Sequence, residues 1–349
     1  MTDFSPSCPV PAPAGDRVLL AHGEGARLTR RLVREVILLA LDNEFLRPMG
    51  DAAVLPAIDG PVALTTDSFV VSPLFFPGGD IGALAVHGTL NDLAVGGAEA
   101  LYLSLGLIVE EGLPIETLRR VVASIGTAAR ACRVPVVAGD TKVVPRGAAD
   151  GLFVNTTGLG RMRPGVDLGP RRIRPGDRVL VSGTIGDHGI AILAAREDLG
   201  LEGDVRSDTA AVGGLVRALL DGCGAGVRCL RDPTRGGLSA ALQELAEAAG
   251  VTVLLDESAL PLSGPVRGAC ELLGLDPLYV ANEGKLLAIV APEAAEVALA
   301  RLRAEPLGAE AAIIGEVTAG TGPQVLVRGP LGAVRVLDEP GGAPLPRIC

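Results

Sequence analysis

The sequence predicts a two-domain α/β (α+β) protein with a flexible C-terminal tail, and three observations carry that prediction. At 349 residues the chain exceeds what one hydrophobic core usually organises. Runs suited to strands and helices fill the first half, stop at a Pro- and Arg-rich stretch over 161–177, and begin again beyond it. From Glu339 the chain closes with Pro-Gly-Gly-Ala-Pro-Leu-Pro-Arg-Ile-Cys, which suits neither helix nor strand. The expected organisation is a disordered lead-in over 1–22, domains over 23–165 and 166–338, and a tail over 339–349.

Leu28, Leu32 and the run 33–41 space apolar residues for a first amphipathic helix. Residues 51–55 and 62–66 read as strands, 81–95 as a helix and 101–109 as an apolar run. Pro114 suits the first turn of a helix whose Ile115, Leu118, Val121, Val122 and Ile125 share a face. Strands over 134–138 and 151–156 complete the first half. In the second half, strands are expected over 178–182, 251–255, 285–290, 311–317 and 324–327. Helices are expected over 188–195, 210–220, 238–249 and 292–304. The arginines of the break, Arg171 and Arg172 among them, read as a solvated hinge.

Composition excludes several roles. Asp plus Glu number 41 against 31 Lys plus Arg, and aromatics make up 2%. Such a chain neither neutralises a phosphate backbone nor stacks bases, so no nucleic acid is expected. The most apolar stretch, 32–41, is short and charged, well under the ~18 apolar residues of a membrane span. The Pro-rich first 14 residues lack the apolar core of a signal peptide. A cytoplasmic setting with free thiols is therefore expected. Cys8, Cys132, Cys223, Cys229 and Cys270 form no metal-binding spacing and read as packing or tail residues. His87 and His188 read as structural.

Several aspartates stand at strand ends or beside glycine: Asp51, Asp67, Asp92, Asp140 and Asp232. One alone is usually a turn former or helix cap. Five in a Gly/Thr-rich context point to a hard cation shared with substrate phosphates, and Lys142 adds a point charge for a phosphate. Neither common phosphate-binding loop is present.

The ordered segments Gly50-Asp-Ala-Ala-Val54, Thr65-Thr-Asp67, Asn91-Asp92 and Gly139-Asp-Thr141 resemble the ATP-binding superfamily of aminoimidazole ribonucleotide synthetase, thiamine-monophosphate kinase and selenide, water dikinase. Within it, the chain is most similar to the HypE family, carbamoyl dehydratases of nickel-iron hydrogenase maturation. The residues carrying this likeness are 65–82, 87–94, 139–144, Asp232-Pro-Thr-Arg-Gly-Gly-Leu238 and Pro346-Arg-Ile-Cys349. The resemblance implies Asp51, Asp92 and Asp232 as magnesium ligands. It implies Asp67, Asn91, Asp92, Gly139, Asp140, Thr141 and Lys142 as ATP contacts. It also implies a homodimer formed through the first domain's sheets, with ATP near that interface.

The same resemblance implies that the Cys349 thiol accepts a carbamoyl group from the carbamoyltransferase HypF. Lys142 and Glu283 would then assist its ATP-driven dehydration to thiocyanate, with cyanide passed to iron on the HypC-HypD scaffold. The placement of Cys349 excludes prenylation, which needs the cysteine four residues from the end. A small-molecule kinase of the same superfamily is the enzymatic alternative, and a non-catalytic ATP-binding scaffold the other. Neither needs a terminal cysteine.

Overall fold

The structure, a computed structural model, describes residues 15–197, 204–320, 322–339, 345 and 347–349. Most of the expected lead-in, and much of the expected tail, lie outside the described residues. Residues 15–22 depart from the expected lead-in. Val18 is fully buried and exchanges backbone hydrogen bonds with Leu113 and Gly112, which draws this strip onto the first domain.

Helix α1 (Arg27–Leu32) continues through a wider π turn at Val33–Ile37 into α2 (Leu38–Leu41), in the region where a helix was expected. No strand forms over 51–55. Strand β1 (Val62–Phe69) follows, then the short hairpin β2 (Phe75–Phe76) and β3 (Gly79–Asp80). Asp80 caps α3 (Ile81–Val95), accepting the backbone N–H groups of Gly82 and Ala83 at 2.8 and 3.1 Å. Beyond it come β4 (Ala98–Glu110), α4 (Ile115–Cys132), β5 (Val136–Val144) and β6 (Leu152–Met162).

These strands form one sheet in the order β1-β6-β4-β5, antiparallel except for β4 and β5, which α4 joins as a parallel crossover. One face packs on α3, and α3 packs on α4. Because α3 is enclosed it is apolar almost all round, with Leu84, Ala85 and Val86 fully buried. The opposite face is open: Val62, Leu64 and Ile108 are exposed there.

The second half begins with β7 (Arg178–Val181), α5 (Asp187–Arg196), α6 (Gly213–Cys223), β8 (Val227–Arg231) and α7 (Gly237–Ala249). It continues with β9 (Thr252–Asp256), α8 (Gly264–Leu273), β10 (Leu287–Val290), α9 (Ala295–Arg303), β11 (Ala312–Thr318), β12 (Gln324–Arg328) and β13 (Val334–Val336). Its seven strands run in the order β13-β12-β9-β11-β7-β10-β8, with only β9 and β12 parallel among neighbours.

The two halves share packing. Ala94 and Val95 at the end of α3 join the core formed by Leu215, Leu219 and Val227. Nor is the break a solvated hinge. Arg163 pairs with Asp221 at 2.6 Å, and Arg172 donates to the Ala225 carbonyl at 3.0 Å.

Candidate active site

The inward residues of β1 carry the site. Strand alternation turns Ala63, Thr65, Asp67 and Phe69 towards α3, and Leu64, Thr66 and Ser68 outward. Thr65 donates its hydroxyl to Asp92 on α3 at 2.9 Å. The loop after β8 delivers Asp232, and Gly236 and Gly237, both at positive φ, turn it into α7. A Cβ at Gly237 would sit 2.6 Å from the Leu278 and Val280 carbonyls, so the turn requires glycine.

These carboxylates repel one another. Asp232 is pushed up to about 7, first by burial, then by the charge of Asp92, with Asp67 adding to it. Asp67 is raised chiefly by burial and further by Asp92, while Arg235 opposes the shift. Such mutual repulsion fits a pocket completed by a divalent cation. Among the described residues no three His, Cys, Asp or Glu side chains enclose a metal by themselves. Substrate phosphate oxygens and water would therefore complete any shell here, as magnesium favours. Asp51 does not join the group: it is exposed on the segment before β1.

Behind the aspartates lies Glu283, 3% exposed. Its backbone N–H donates to Asp208 Oδ1 at 3.0 Å, and Lys285 Nζ lies 3.1 Å from Asp208 Oδ2. Gly284 lets the chain approach this closely, since a Cβ there would lie 1.8 Å from the Asp208 carbonyl. Burial, followed by the charges of Asp208, Asp232 and Asp67, raises the Glu283 carboxyl well above the usual range. Its Oε1 is buried without a hydrogen-bond partner among the described residues. That acceptor is costly for folding and available to a substrate N–H.

The chain end docks on this carboxyl. The Cys349 thiol lies against Glu283, and burial, followed by the neighbouring Glu283 charge, raises its pKa. Val70 N–H donates to the Cys349 carbonyl at 3.2 Å, and Ser72 N–H to that of Arg347 at 3.4 Å. Ile348 is 3% exposed within the first core. His188 Nε2 lies 2.8 Å from the Ile348 carbonyl, and Arg347 pairs with Asp150. His188 is structural as expected, and the structure it supports is the terminus.

Asn91 and the expected ATP contacts on β5 fall elsewhere. Asn91 is 1% exposed and spends its amide on the second half, donating to Ala210 and Glu283 carbonyls and accepting from Val212 N–H. These bonds tie the end of α3 to the second half. Asp140 and Lys142 pair at 3.1 Å, each largely exposed, opposite Gly106 and Ile108 on the open face of the sheet. Their strand is the edge opposite β1, three strand spacings away, roughly 14 Å. Gly139 presses on β4: a Cβ would meet the Leu105 carbonyl at 2.7 Å. Sequence reasoning missed Asp208, Lys285 and Arg235, although Arg235 sits inside a segment it singled out, 232–238, and Lys285 is two residues from Glu283.

The sheet with its helical backing, joined to a second mixed sheet across an acidic cleft, defines a class. Residues 49–162 match the N-terminal domain of AIR synthase related proteins, and residues 174–328 match their C-terminal domain. The carbamoyl dehydratase HypE of Azotobacter vinelandii is 53% identical over 332 residues, covering 95% of this chain and 97% of its own. A crystal structure of the hydrogenase maturation protein HypE in complex with ATP superposes with a TM-score of 0.91 at 48% identity. It covers 95% of this chain and 99% of that one. A structure of a HypE-HypF complex gives 0.78 at 45% identity, over 88% and 99%. The chain belongs to the HypE family of carbamoyl dehydratases, the hydrogenase maturation enzymes.

Proposed function

We propose that this chain dehydrates a carbamoyl group carried on its own Cys349 thiol, using ATP, to give the S-cyano group that supplies cyanide to a nickel-iron hydrogenase. The observation that carries this reading is the docking of that thiol against a buried carboxyl with an unpartnered oxygen. A kinase or a passive scaffold has no need of that contact.

In the reaction, the carbamoyl oxygen attacks the terminal phosphorus of ATP, forming an O–P bond as the bond to ADP breaks. The C–O bond then breaks, its electron pair leaving with phosphate. One nitrogen proton passes to Glu283 and the other to the departing phosphate, leaving S–C≡N, ADP, phosphate and one proton. A carboxyl held at raised pKa by burial accepts a proton well near neutral pH. Magnesium, held by Asp92 and Asp232, would supply charge neutralisation to the phosphates when bound. Asp67 lies beside them, and Asp51 would have to move from its exposed segment to join.

Lys142, Asp140 and Thr141 serve ATP from the partner copy in this reading. Within one chain their edge lies far from Asp67, and a homodimer joining the first sheets would bring the β5 edge of one copy to the β1 edge of the other. The HypE-HypF and ATP complexes of relatives support ATP as substrate and HypF as carbamoyl donor here too. The HypC-HypD complex would be the cyanide acceptor. A cytoplasmic site of action fits these partners, and no described helix is long and apolar enough to cross a membrane.

Glu283→Gln keeps the shape of the side chain and removes its basicity. Carbamoylation of Cys349 should proceed while dehydration slows by ~10² to 10⁴-fold. A mass-spectrometric time course of S-carbamoyl and S-cyano species reads both. Cyanation at the normal rate in this variant would return Glu283 to a structural role.

A further inference from the structure

We infer that Ser207 and His188 are positioning residues for the dehydration, latching the chain end so that the Cys349 thiol registers against Glu283. The inference rests on the carrier reading of Cys349 given above. Its geometric basis is the short segment 204–212, which is tied to both halves of the molecule. Ser207 N–H donates to the Pro77 carbonyl at 2.8 Å, and the Asn91 amide holds Ala210 and Val212. On this anchored strip two adjacent side chains serve the two reacting groups. Asp208 fixes the backbone of Glu283 at 3.0 Å, and the Ser207 hydroxyl fixes His188 at 2.8 Å.

The hydrogen-bond directions follow from chemistry. His188 is fully buried, and burial keeps its imidazole neutral, with one N–H. The Ile348 carbonyl can only accept, so that N–H is on Nε2 and points to it at 2.8 Å. Nδ1 must then accept from the Ser207 hydroxyl, whose oxygen in turn accepts Thr209 N–H at 3.1 Å. Phe76, edge-on at 5.6 Å between centroids, holds the ring's orientation. Every polar atom of the relay is used, and its far end is the residue before the reactive cysteine. The latch adds one neutral hydrogen bond to the seat that the chain end makes with Val70, Ser72 and Asp150.

The test uses the full-length chain with Ser207→Ala and, as a second variant that spares the segment's backbone, His188→Gln. Iodoacetamide alkylation of Cys349, followed by peptide mass spectrometry with Cys349→Ser as blank, reports how often the thiol leaves its seat. Each variant should alkylate about fivefold faster, the equivalent of one net hydrogen bond, with ATP affinity unchanged. The combined variant should be no faster than the faster single one, because both remove the same latch. The dehydration rate should fall by a similar factor while carbamoylation holds. Unchanged alkylation in both variants, or additive acceleration in the combined one, overturns the latch. Alkylation needs no turnover, so faster alkylation in a chain that never accepts carbamoyl would sink the carrier reading and leave the latch standing.

Discussion

The two sides of the first sheet present opposite chemical settings. On the inner side, Asp67 and Asp92 meet Asp232, Glu283 and Cys349 in a shielded, acidic cleft where the carboxyl and thiol proton affinities of Asp67, Asp232, Glu283 and Cys349 are raised. On the outer side Asp140 and Lys142 pair in the open, and Thr66, Ser68, Asn155 and Thr157 exchange hydrogen bonds at 3.0 to 3.4 Å. An exposed ion pair of this kind contributes little to stability. The proposed function assigns proton transfer to the buried side and contact with a partner copy to the exposed side.

The largest expected effect tests the inner side. Deleting Arg347 to Cys349 should abolish cyanide formation while ATP binding persists, as calorimetry would show. Thiocyanate formed by the truncated chain would end the carrier reading.

The outer side is tested by complementation. Lys142→Ala alone should impair ATP use and dehydration together. Mixed with Cys349→Ser chains, it should recover to about a quarter of the wild-type rate, since half of the dimers are mixed and each holds one intact site. If recovery fails although mixed dimers form, Lys142 serves its own chain and the division between the two sides collapses.

Smaller again, Asp92→Asn replaces an anionic ligand with a neutral one and should weaken magnesium-ATP binding by ~10-fold or more without changing ATP binding in chelator. Equal weakening in both conditions would remove Asp92 from the cation's shell.

The smallest effect concerns stability and has a definite sign. Asp232 is raised from 3.8 to about 7, so the folded chain holds that proton over a range where the unfolded chain has lost it. Its contribution to stability is therefore full below pH 4, falls as pH rises towards 7, and is constant above. Asp232→Asn should flatten that slope and stabilise the ligand-free protein at pH 8 by about 1 kcal/mol, measured by urea unfolding, while impairing catalysis.

Much of this architecture is legible in the residues. The span of α3 follows from an Asp cap and a continuous apolar run, and the amphipathic spacing of α4 places its buried face. Of the aspartate motifs, those of Asp67, Asp92 and Asp232 meet in the cleft, and the thiol of Cys349 docks there. The split between the sides was not legible, because it depends on strand register: Asp67 and Lys142 look alike as strand residues until β1 and β5 occupy opposite edges. Asn91 shows the same gap. Its neighbour Asp92 faces the cleft, but one residue back around the helix its amide turns to the second half. The tail's docking depends on His188 and Val70, far away in sequence, and no local pattern encodes it.

The proposed function turns on chemistry at the Cys349 thiol. Its most direct test is the intact mass of the wild-type chain incubated with the carbamoyltransferase, carbamoyl phosphate, ATP and magnesium. The expected result is the gain of one carbamoyl group at Cys349 followed by the loss of one water, with one ATP consumed by this chain for that loss. A carbamoyl group that persists in the presence of ATP, or a modification that maps to any other residue, would contradict it.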